Sequence, residues 1–571
     1  MKLALLFSII IFSSCFSSAI VNMRNGSYAE KWIDIISPGS GYDLRIERYY
    51  SSRSLFIGLF GFGWCSDLET KIEHLSDGTI TLSECGGGLE VTYYPTHFDK
   101  KSPTQTVDQI ISYYKSHNKN LTSAYLKKLR TQLVSDTKQR FEIANKLHLI
   151  NSKSLRSKKG TFVAKSKGLE EIRFNGKQYS RHTNKGFTEK FNLKGQLSQM
   201  VDKMGNWIKI NYNQNNISFI VDNRGRRLNF SYNKNGTLSK IFDGRKLNVT
   251  YMFNNNNLSS VTNAWGNTYQ YQYDEHHNMT KIVFPKQAGK NQFITLSYDI
   301  QNDWIKSYTD RDNCSQKFEF IMSQENPKNH YWSNVETKCQ KLESKGHFEY
   351  WYKNYQHSKL KYLSRSLDQQ NETIKDVYFH SYLGKPISLF EEKYTHYTGY
   401  AYKPNGLVHQ KEDKKYKDNT RKEIVDWNRL LFSYNKKIRK MSDTTKTLLN
   451  KDEKPLMVTK TSFHYDKRRL LSKAIQPSGL FVNVSYNSSG KIASLTDHKK
   501  TKITFGYDKI NEKPVKIKHS SIGEVFITYS PQGDVLKVSS QKGRNIASSV
   551  IQSFMDFLSI LGPAAENEIK L

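Results

Sequence analysis

The sequence has few acidic residues for its content of basic ones. Its 571 residues include 53 Asp and Glu against 87 Lys and Arg, so the formal net charge is +34. A surplus of this size raises affinity for anionic partners such as nucleic acid, lipid headgroups or acidic glycans. The favoured interpretation is a solvated outer surface whose lysines protect strand edges from aggregation. The sequence has no specific nucleic-acid motif, and the candidate partners are an anionic glycan, an envelope polymer or a protein.

Long apolar runs are missing after the first residues, and no later stretch is long and apolar enough to span a bilayer. Residues 1–19 have the features of a secretory signal: Lys2, an apolar run over 3–12, and a small-residue cleavage site at Ser17-Ser18-Ala19. A looser match to a lipobox ends at Cys15. We therefore predict an exported protein, secreted, periplasmic or envelope-associated, with cleavage after Ala19 favoured over lipid anchoring at Cys15.

Cysteine is scarce, and the predicted cleavage leaves four: Cys65, Cys85, Cys314 and Cys339. An even number of cysteines in an exported chain suggests disulfides. Among the three possible connectivities we favour the local pairs, Cys65 with Cys85 and Cys314 with Cys339. The alternative is four free thiols buried in strands.

Strong catalytic motifs are also missing. The sequence contains no Gly-x-Ser-x-Gly, no His-Glu-x-x-His, no phosphate-binding Gly-Lys-Ser/Thr loop and no Cys-x-x-Cys. His276 and His277 follow Asp274 and Glu275, but adjacent side chains on an extended chain point apart. We therefore predict no catalytic, cofactor-binding or metal-binding residues. An enzyme acting on polysaccharide is the least favoured alternative.

The chain does contain many copies of a strand–turn–strand unit. In the clearest copy, Leu228, Phe230 and Tyr232 alternate on one strand face, and 233–236 supply a turn rich in Asn and Gly. Tyrosines recur at nearly regular steps in two series. They are Tyr212, Tyr232, Tyr251, Tyr271, Tyr465, Tyr486, Tyr507 and Tyr529. A period of about 20 with strand alternation predicts one hairpin per repeat, stacked on its neighbours, with these tyrosines in the core.

Two segments depart from this pattern. Residues 98–168 are Lys-rich with helical spacing, and we predict a helical or partly mobile insertion that is either a basic contact surface or merely solvated. The apolar residues of 546–561 share one broad helical face. This helix is expected to cap an open sheet edge of the last hairpins, with a lid or a membrane-surface helix as alternatives.

The order of motifs resembles the Rhs/YD-repeat family. Near the N-terminus the matching residues are Ser37-Pro38-Gly39, Arg48 with Tyr49, Gly61 and Gly63 with Trp64, and Asp77-Gly78. Residues 232–244 are similar to the family's "YD-x-x-G-x-L-x-x-(V/I)-x-D-x-x-G" repeat. The resemblance implies a long β-sheet strip that spirals into a hollow shell, as in the shell components of bacterial toxin complexes.

The sequence also departs from toxin-bearing family members. It has no Pro-rich, Asp-Pro-Gly-containing block before Ile546, where an autoprotease would act, and only a short tail after Arg544. The chain is also much shorter than members that enclose a cargo. These differences argue against encapsulation and self-cleavage.

The predicted fold is all-β: a stacked-hairpin YD-repeat strip, spiralling or partly shell-like, with a small helical insertion and a C-terminal helix. The predicted segments are 1–19 (signal), 20–97 (N-terminal Rhs-associated domain), 98–168 (insertion), 169–545 (strip) and 546–571 (helix and tail). We expect an exported, non-enzymatic scaffold that binds envelope polymer, glycan or a protein partner. The alternative is a shell component or orphan remnant of an Rhs toxin system.

Overall fold

The computed structural model describes most of residues 20–561. The described residues exclude 38–43, 76–77, 87–89, 97–100, 119–120, 136, 148, 150–158, 165–166, 185, 246, 287–291, 328–329, 341, 352–359, 368–372, 381–384, 404, 436–437, 439, 489, 509–512, 530–534 and 541–543. Strands make up 57% of the structure and helices 11%, which confirms the predicted all-β class. The predicted signal segment lies outside the described residues.

The chain divides into two compact units. One contains Met1–Ser66 together with Val201–Leu571, and the other contains Asp67–Met200. The boundary at residue 67 falls inside the predicted N-terminal domain of 20–97. That domain therefore contributes strands to both units.

The N-terminal part of the larger unit is a small antiparallel sheet. Its strands are β1 (Ile20–Asn22), β2 (Ser27–Ser37), β3 (Leu44–Ser51), β4 (Ile57–Gly58), β5 (Gly61–Phe62) and β6 (Trp64–Cys65). The sheet order is β1-β2-β3-β6, and β4 pairs with β5 in a separate hairpin. In β3 every second residue from Leu44 to Tyr50 is buried, because successive side chains of a strand point to opposite faces.

The smaller unit combines a sheet with three helices. Its elements are β7 (Lys71–His74), β8 (Ile80–Ser83), β9 (Glu90–Pro95), α1 (Lys101–His117), α2 (Ser123–Ser135), α3 (Thr137–Lys146), β10 (Gly160–Val163), β11 (Glu171–Phe174), β12 (Tyr179–His182), β13 (Thr188–Phe191) and β14 (Leu197–Val201). The helices bury Val107, Ile110, Leu129 and Leu133 against one another. They occupy the segment for which the sequence predicts a helical insertion.

The rest of the larger unit is a strip of consecutive antiparallel strands ending in a helix. Its elements are β15 (Trp207–Asn213), β16 (Asn216–Asp222), β17 (Arg227–Tyr232), β18 (Leu238–Phe242), β19 (Asn248–Asn254), β20 (Asn257–Thr262), β21 (Thr268–Tyr273), β22 (Met279–Val283), β23 (Phe293–Asp299), β24 (Trp304–Thr309), β25 (Ser315–Met322), β26 (His330–Cys339), β27 (Leu342–Trp351), β28 (Leu360–Leu367), β29 (Thr373–His380), β30 (Pro386–Glu391), β31 (His396–Tyr402), β32 (Val408–Tyr416), β33 (Ile424–Asn435), β34 (Lys440–Leu449), β35 (Pro455–Tyr465), β36 (Leu471–Ile475), β37 (Phe481–Tyr486), β38 (Ile492–Asp497), β39 (Lys502–Tyr507), β40 (Pro514–His519), β41 (Gly523–Tyr529), β42 (Val535–Ser539) and α4 (Arg544–Leu561). Each strand pairs with the next one in sequence. This order is the predicted stack of hairpins, whereas its spiral curvature stays a prediction.

Each regular hairpin carries a β-bulge at an aromatic residue. The strand register shifts between Ser231 and Tyr232, and again between Ser485 and Tyr486. The hydroxyl of Tyr232 donates to the carbonyl oxygen of Ile217 at 2.8 Å, so the aromatic ties its hairpin to the preceding one. Gly236 adopts a φ of 84° in the following turn, a conformation that glycine reaches without the Cβ penalty of other residues.

Helix α4 packs against the last hairpins of the strip. Val550, Phe554, Phe557 and Leu561 are buried with the apolar residues of β36 to β41. The helix therefore covers a sheet face, whereas the sequence pattern led us to expect that it covers an edge. The reason is geometric: the broad apolar face of the helix needs a broad apolar surface, and a strand edge offers mainly backbone groups.

Candidate functional site

A buried ion pair joins the two central strands of the N-terminal sheet. Asp34 of β2 and Arg48 of β3 are 1% and 0% exposed. The Arg48 Nε donates to both carboxylate oxygens of Asp34, at 3.0 and 2.8 Å. Arg48 also lies over the rings of Trp32 and Trp64, with its Cζ 5.4 and 4.6 Å from their centroids. The pair is thus enclosed by aromatic surface and closed to solvent.

Two tyrosines of the strip, distant in sequence, complete this cluster. Arg48 Nη2 donates to the Tyr271 hydroxyl at 2.8 Å, and the Tyr251 hydroxyl donates to Asp34 Oδ2 at 2.9 Å. Burial disfavours the charged form of Arg48, but Asp34 and Tyr271 outweigh it and raise the pKa of the guanidinium. Burial also raises the pKa of both phenols, so they stay protonated donors. The cluster fastens the N-terminal sheet to the strip and offers no open face for chemistry.

Trp64, Gly61 and Gly63 of the N-terminal motif lie at the same junction. Trp64 Nε1 donates to the Tyr273 hydroxyl at 2.9 Å. Gly61 has a φ of 91°, and a Cβ there would lie 2.4 Å from the carbonyl oxygen of Asn256. A Cβ on Gly63 would lie 2.9 Å from the Tyr50 ring. Tyr49 points away and donates to Glu47 at 2.5 Å. The interface therefore requires the conformation of Gly61 and the packing of Gly63 and Trp64, whereas Tyr49 contacts the adjacent Glu47 instead.

The predicted repeat tyrosines fall into two structural classes. The hydroxyls of Tyr465, Tyr486, Tyr507 and Tyr529 each donate to a backbone carbonyl of the preceding hairpin, at 2.7 to 2.8 Å. Tyr232 does the same, and Tyr212 also lies at a bulge. Tyr251 and Tyr271 differ, because the bulges of their strands lie two positions later, at Phe253 and Tyr273. The slight irregularity of the tyrosine period at Tyr251 therefore coincides with a change of register.

The other residues singled out in the sequence lie apart from this cluster. Cys314 and Cys339 form a disulfide between the start of β25 and the end of β26. Cys65 and Cys85 belong to different units, and their pairing stays a prediction. His277 stacks on Phe62 with ring centroids 4.4 Å apart. Among the described residues, no three His, Cys, Asp or Glu side chains are arranged to hold a metal ion.

The strip has one face that carries positive charge and few carboxylates. We call it the polar face, and define it as the side of β15 to β24 opposite the buried residues Ile208, Ile220 and Ile241. Its strand residues include Lys209, Asn211, Phe219, Arg227, Asn229, Lys240, Phe242, Thr250, Met252, Gln270, Lys281, Phe293 and Thr295. The only acids within β15 to β24 are Asp222 and Asp299, each the last residue of its strand. Both accept backbone hydrogen bonds from the turn that follows, and Asp222 is buried and pairs with Ile208 on the opposite side.

Four cations of the polar face each lie against an aromatic ring. Lys209 Nζ is 4.7 Å from the Trp207 centroid, and Arg227 Cζ is 3.5 Å from that of Phe219. Lys240 over Phe242 and Lys281 over Phe293 repeat the arrangement at 4.7 and 4.3 Å. A cation held over a ring loses side-chain freedom before any ligand arrives, and the ring face remains a stacking surface. In such a pair the cation can bind an anionic group of a ligand while the aromatic ring stacks on an apolar face of the same ligand.

Sequence reasoning missed two features of these sites. Asp34 is not part of the motif, although an acidic residue within the apolar run Trp32-Ile33-Asp34-Ile35-Ile36 is a signal of a buried partner. The polar face was also missed, because the bulges change which residues share a side. The signal that could have found it is the recurrence of Lys or Arg near a Trp or Phe in several strands of the strip.

Comparison with known families identifies the repeat. The model of a domain of unknown function, DUF6531, matches residues 19–92, and the RHS Repeat model matches residues 254–287. The second match covers the hairpin in which Tyr271 and Tyr273 meet the N-terminal sheet. The chain therefore contains an Rhs repeat. No curated protein matches it in sequence.

Solved structures similar to this Rhs-repeat protein include Tc toxin complexes. A TcdB2-TccC3-TEV structure has 10% identity over 94% of this chain and 29% of its own, with a TM-score of 0.36. The Photorhabdus luminescens Tc holotoxin pore has 11% identity over 67% of this chain and 24% of its own, with a TM-score of 0.33. This chain thus spans less than a third of the length of either. Within the described ranges, no helix of the Rhs-repeat protein is long and apolar enough to cross a membrane.

The smaller unit of the Rhs-repeat protein contains a second buried cluster. Arg181 donates to Glu170 and Glu189 at 3.0 Å and to Glu84 at 2.5 Å, while the Tyr93 hydroxyl donates to Glu170. Burial raises the pKa of Glu189 even though Arg181 opposes the shift. One guanidinium thus satisfies three carboxylates from different elements. The cluster is a structural cross-link, and its arginine leaves no open ligand position for a cation.

Proposed function

We propose that this chain is an exported, non-enzymatic Rhs-repeat scaffold that binds an anionic glycan or envelope polymer on its polar face. The observation that carries the proposal is the confinement of acids to strand ends in β15 to β24, together with the four cation–ring pairs of that face. The predicted signal segment supports an exported setting, where acidic polysaccharides are abundant ligands. The buried clusters support the non-enzymatic part, because their titratable groups pair with one another.

The geometry of the face suits a flexible polyanion. The four cations lie on β15, β17, β18 and β22, and the strands of a sheet lie about 4.8 Å apart, so their charges are distributed along the strip as those of a polyanion are along its chain. The Asn, Gln, Ser and Thr residues between the cations can hydrogen-bond sugar hydroxyls, and the rings offer stacking surface. If the lysines served only to keep the protein soluble, acidic residues could also occur in the interior of these ten strands. Their absence there therefore favours a binding role for the cations.

The test is binding of the full chain to an anionic polysaccharide, such as polygalacturonate, and to neutral dextran. We expect binding to the anionic polymer alone, weakened by salt because exposed charges are screened over about 8 Å at physiological ionic strength. The quadruple variant Lys209→Gln, Arg227→Gln, Lys240→Gln and Lys281→Gln should lose most of this affinity. At about 1 kcal/mol per cation near an anionic surface, the loss is about 4 kcal/mol, or roughly a thousandfold, at low salt.

A matched variant separates the polar face from net charge. Lys338→Gln, Lys345→Gln, Lys417→Gln and Lys518→Gln remove the same number of charges, but each lysine pairs with a glutamate at 2.9 to 3.6 Å. Its affinity should stay within a few-fold of the unmodified chain. Equal losses in the two variants would show that binding follows bulk charge, and the proposed role of the polar face would be wrong.

A further inference from the structure

The strip contains an abrupt change in strand length between β35 and β36. β35 has 11 residues and β36 has 5. On one side β35 pairs with β34 from Pro455 to Ser462, whereas on the other side it pairs with β36 only from Ser462 to Tyr465. Residues 455–461 therefore form a sheet edge that has no strand partner among the described residues. We call this segment the β35 edge.

The β35 edge exposes apolar side chains on both of its faces. Leu456, Met457 and Val458 are 64%, 56% and 58% exposed, although they are consecutive residues of a strand. Native proteins usually protect such an edge with a bulge, an internal proline or charged residues. Here the only charge within the segment is Lys460, whose Nζ lies 3.5 Å from the Asp443 carboxylate. The edge presents an unprotected template for another strand.

The charged residues around the β35 edge indicate which kind of strand can pair with it. Lys454 precedes the edge, and Lys460 lies near its far end. Lys446 lies on β34 opposite Thr459. An antiparallel second copy centred on Met457 would place Lys454 opposite Lys460, and like charges directly opposite in a ladder are destabilising. A segment that alternates apolar and acidic residues would instead bury the exposed side chains and pair with the lysines.

We propose that the β35 edge binds an extended apolar and acidic segment of a partner protein as an added β-strand. Backbone hydrogen bonds along residues 455–461 supply the affinity, and Leu456 and Val458 contact the apolar side chains of the added strand. Lys454, at the start of the edge, favours an acidic residue of the added strand. This site is separate from the polar face and does not depend on the proposed glycan binding.

The experiment uses the full chain and a fluorescent peptide of sequence Glu-Val-Glu-Val-Glu-Val-Glu. Fluorescence anisotropy measures its affinity, and hydrogen exchange measures protection of amides in 456–461. We expect about tenfold tighter binding than for the Lys-Val peptide of equal length. We also expect exchange slowed by about tenfold or more at the β35 edge. A peptide with proline at its central position, which cannot complete the ladder, should bind weakly.

Two matched variants make the test specific. Met457→Asp places a carboxylate at the exposed edge and should weaken peptide binding by about tenfold. Leu193→Asp changes an equally exposed apolar residue (62%) in the turn between β13 and β14, outside the polar face, and should leave binding unchanged. Circular dichroism of both variants checks that the fold is retained.

Three outcomes would overturn the proposal. The first is peptide binding without slower exchange in 456–461, and the second is equal weakening by Met457→Asp and Leu193→Asp. The third is dimerisation of the chain alone that Met457→Asp abolishes in sedimentation, because the occupant would then be a second copy.

Discussion

Removing the Asp34 carboxylate is expected to detach the N-terminal sheet from the strip. In Asp34→Ala the Arg48 guanidinium stays fully buried but loses both Nε contacts, at 2.8 and 3.0 Å. Breaking a buried ion pair by removing one partner costs about 3–5 kcal/mol. The Tyr251 hydroxyl also loses its acceptor, which adds about 1–3 kcal/mol for an unsatisfied buried donor. Asp34→Ala should therefore destabilise the attachment of the sheet by at least about 4 kcal/mol.

This destabilisation should appear as local opening of the N-terminal sheet, because the Asp34–Arg48 cluster joins two parts of one unit. Hydrogen exchange reports local opening free energies, and about 4 kcal/mol corresponds to roughly thousandfold faster exchange. We expect this acceleration for amides of β2 and β3, measured by mass spectrometry of peptides from these strands. Tyr49→Phe is the control, because it removes a hydroxyl contact from the same strand pair at the partly exposed surface.

A double variant tests whether the cost comes from the uncompensated charge. Asp34→Leu with Arg48→Met replaces the pair by apolar side chains, and such replacements are often neutral or stabilising. Exchange in the double variant should be slower than in Asp34→Ala. If the destabilisations caused by the two substitutions simply add, with a coupling energy near zero, then the ion pair does not hold the sheet in place.

Three further predictions concern other parts of the strip. Tyr486→Phe removes the hydrogen bond to the Leu471 carbonyl oxygen and should cost about 1 kcal/mol in chemical denaturation, with glycan binding unchanged. Burial lowers the pKa of His519, which contacts Ser553 of α4 at 3.0 Å. The folded state thus binds fewer protons than the unfolded state, so protection of α4 amides should fall as pH drops below about 6.5, and His519→Gln should remove this dependence. The Cys314–Cys339 bond closes 25 residues, so Cys314→Ser with Cys339→Ser should lower the unfolding free energy of this region by about 3 kcal/mol, and an unchanged midpoint would contradict the assignment.

The repeat architecture could be predicted because its information is local. Strand alternation, turn residues and the recurring tyrosine all lie within a single repeat, as in the unit around Tyr232. The register was less predictable, because a bulge adds one residue without changing the composition. Tyr251 matches the period almost as well as Phe253, and only the strand pairing shows which of them lies at the bulge.

The functional surfaces depend on contacts that a sequence pattern does not contain. Arg48 and Tyr271 are 223 residues apart, and no spacing rule connects them. The polar face appears only when the register of ten strands is known, since a slip of one residue exchanges the two sides of a strand. The β35 edge follows from the unequal lengths of β35 and β36, whereas their sequences show only that both are strands.

The hydroxyl-to-carbonyl bond between successive hairpins makes the repeat a transferable module. The tyrosine hydroxyls donate to backbone carbonyl oxygens of the preceding hairpin: Tyr486 to Leu471, Tyr507 to Ile492 and Tyr529 to Pro514. Each hairpin therefore offers the next one a carbonyl oxygen equivalent to the one that its own tyrosine contacts. Removing or duplicating one such unit would join a donor to an equivalent acceptor. Strips of this kind can thus change length in whole repeats during evolution without redesign of the flanking units.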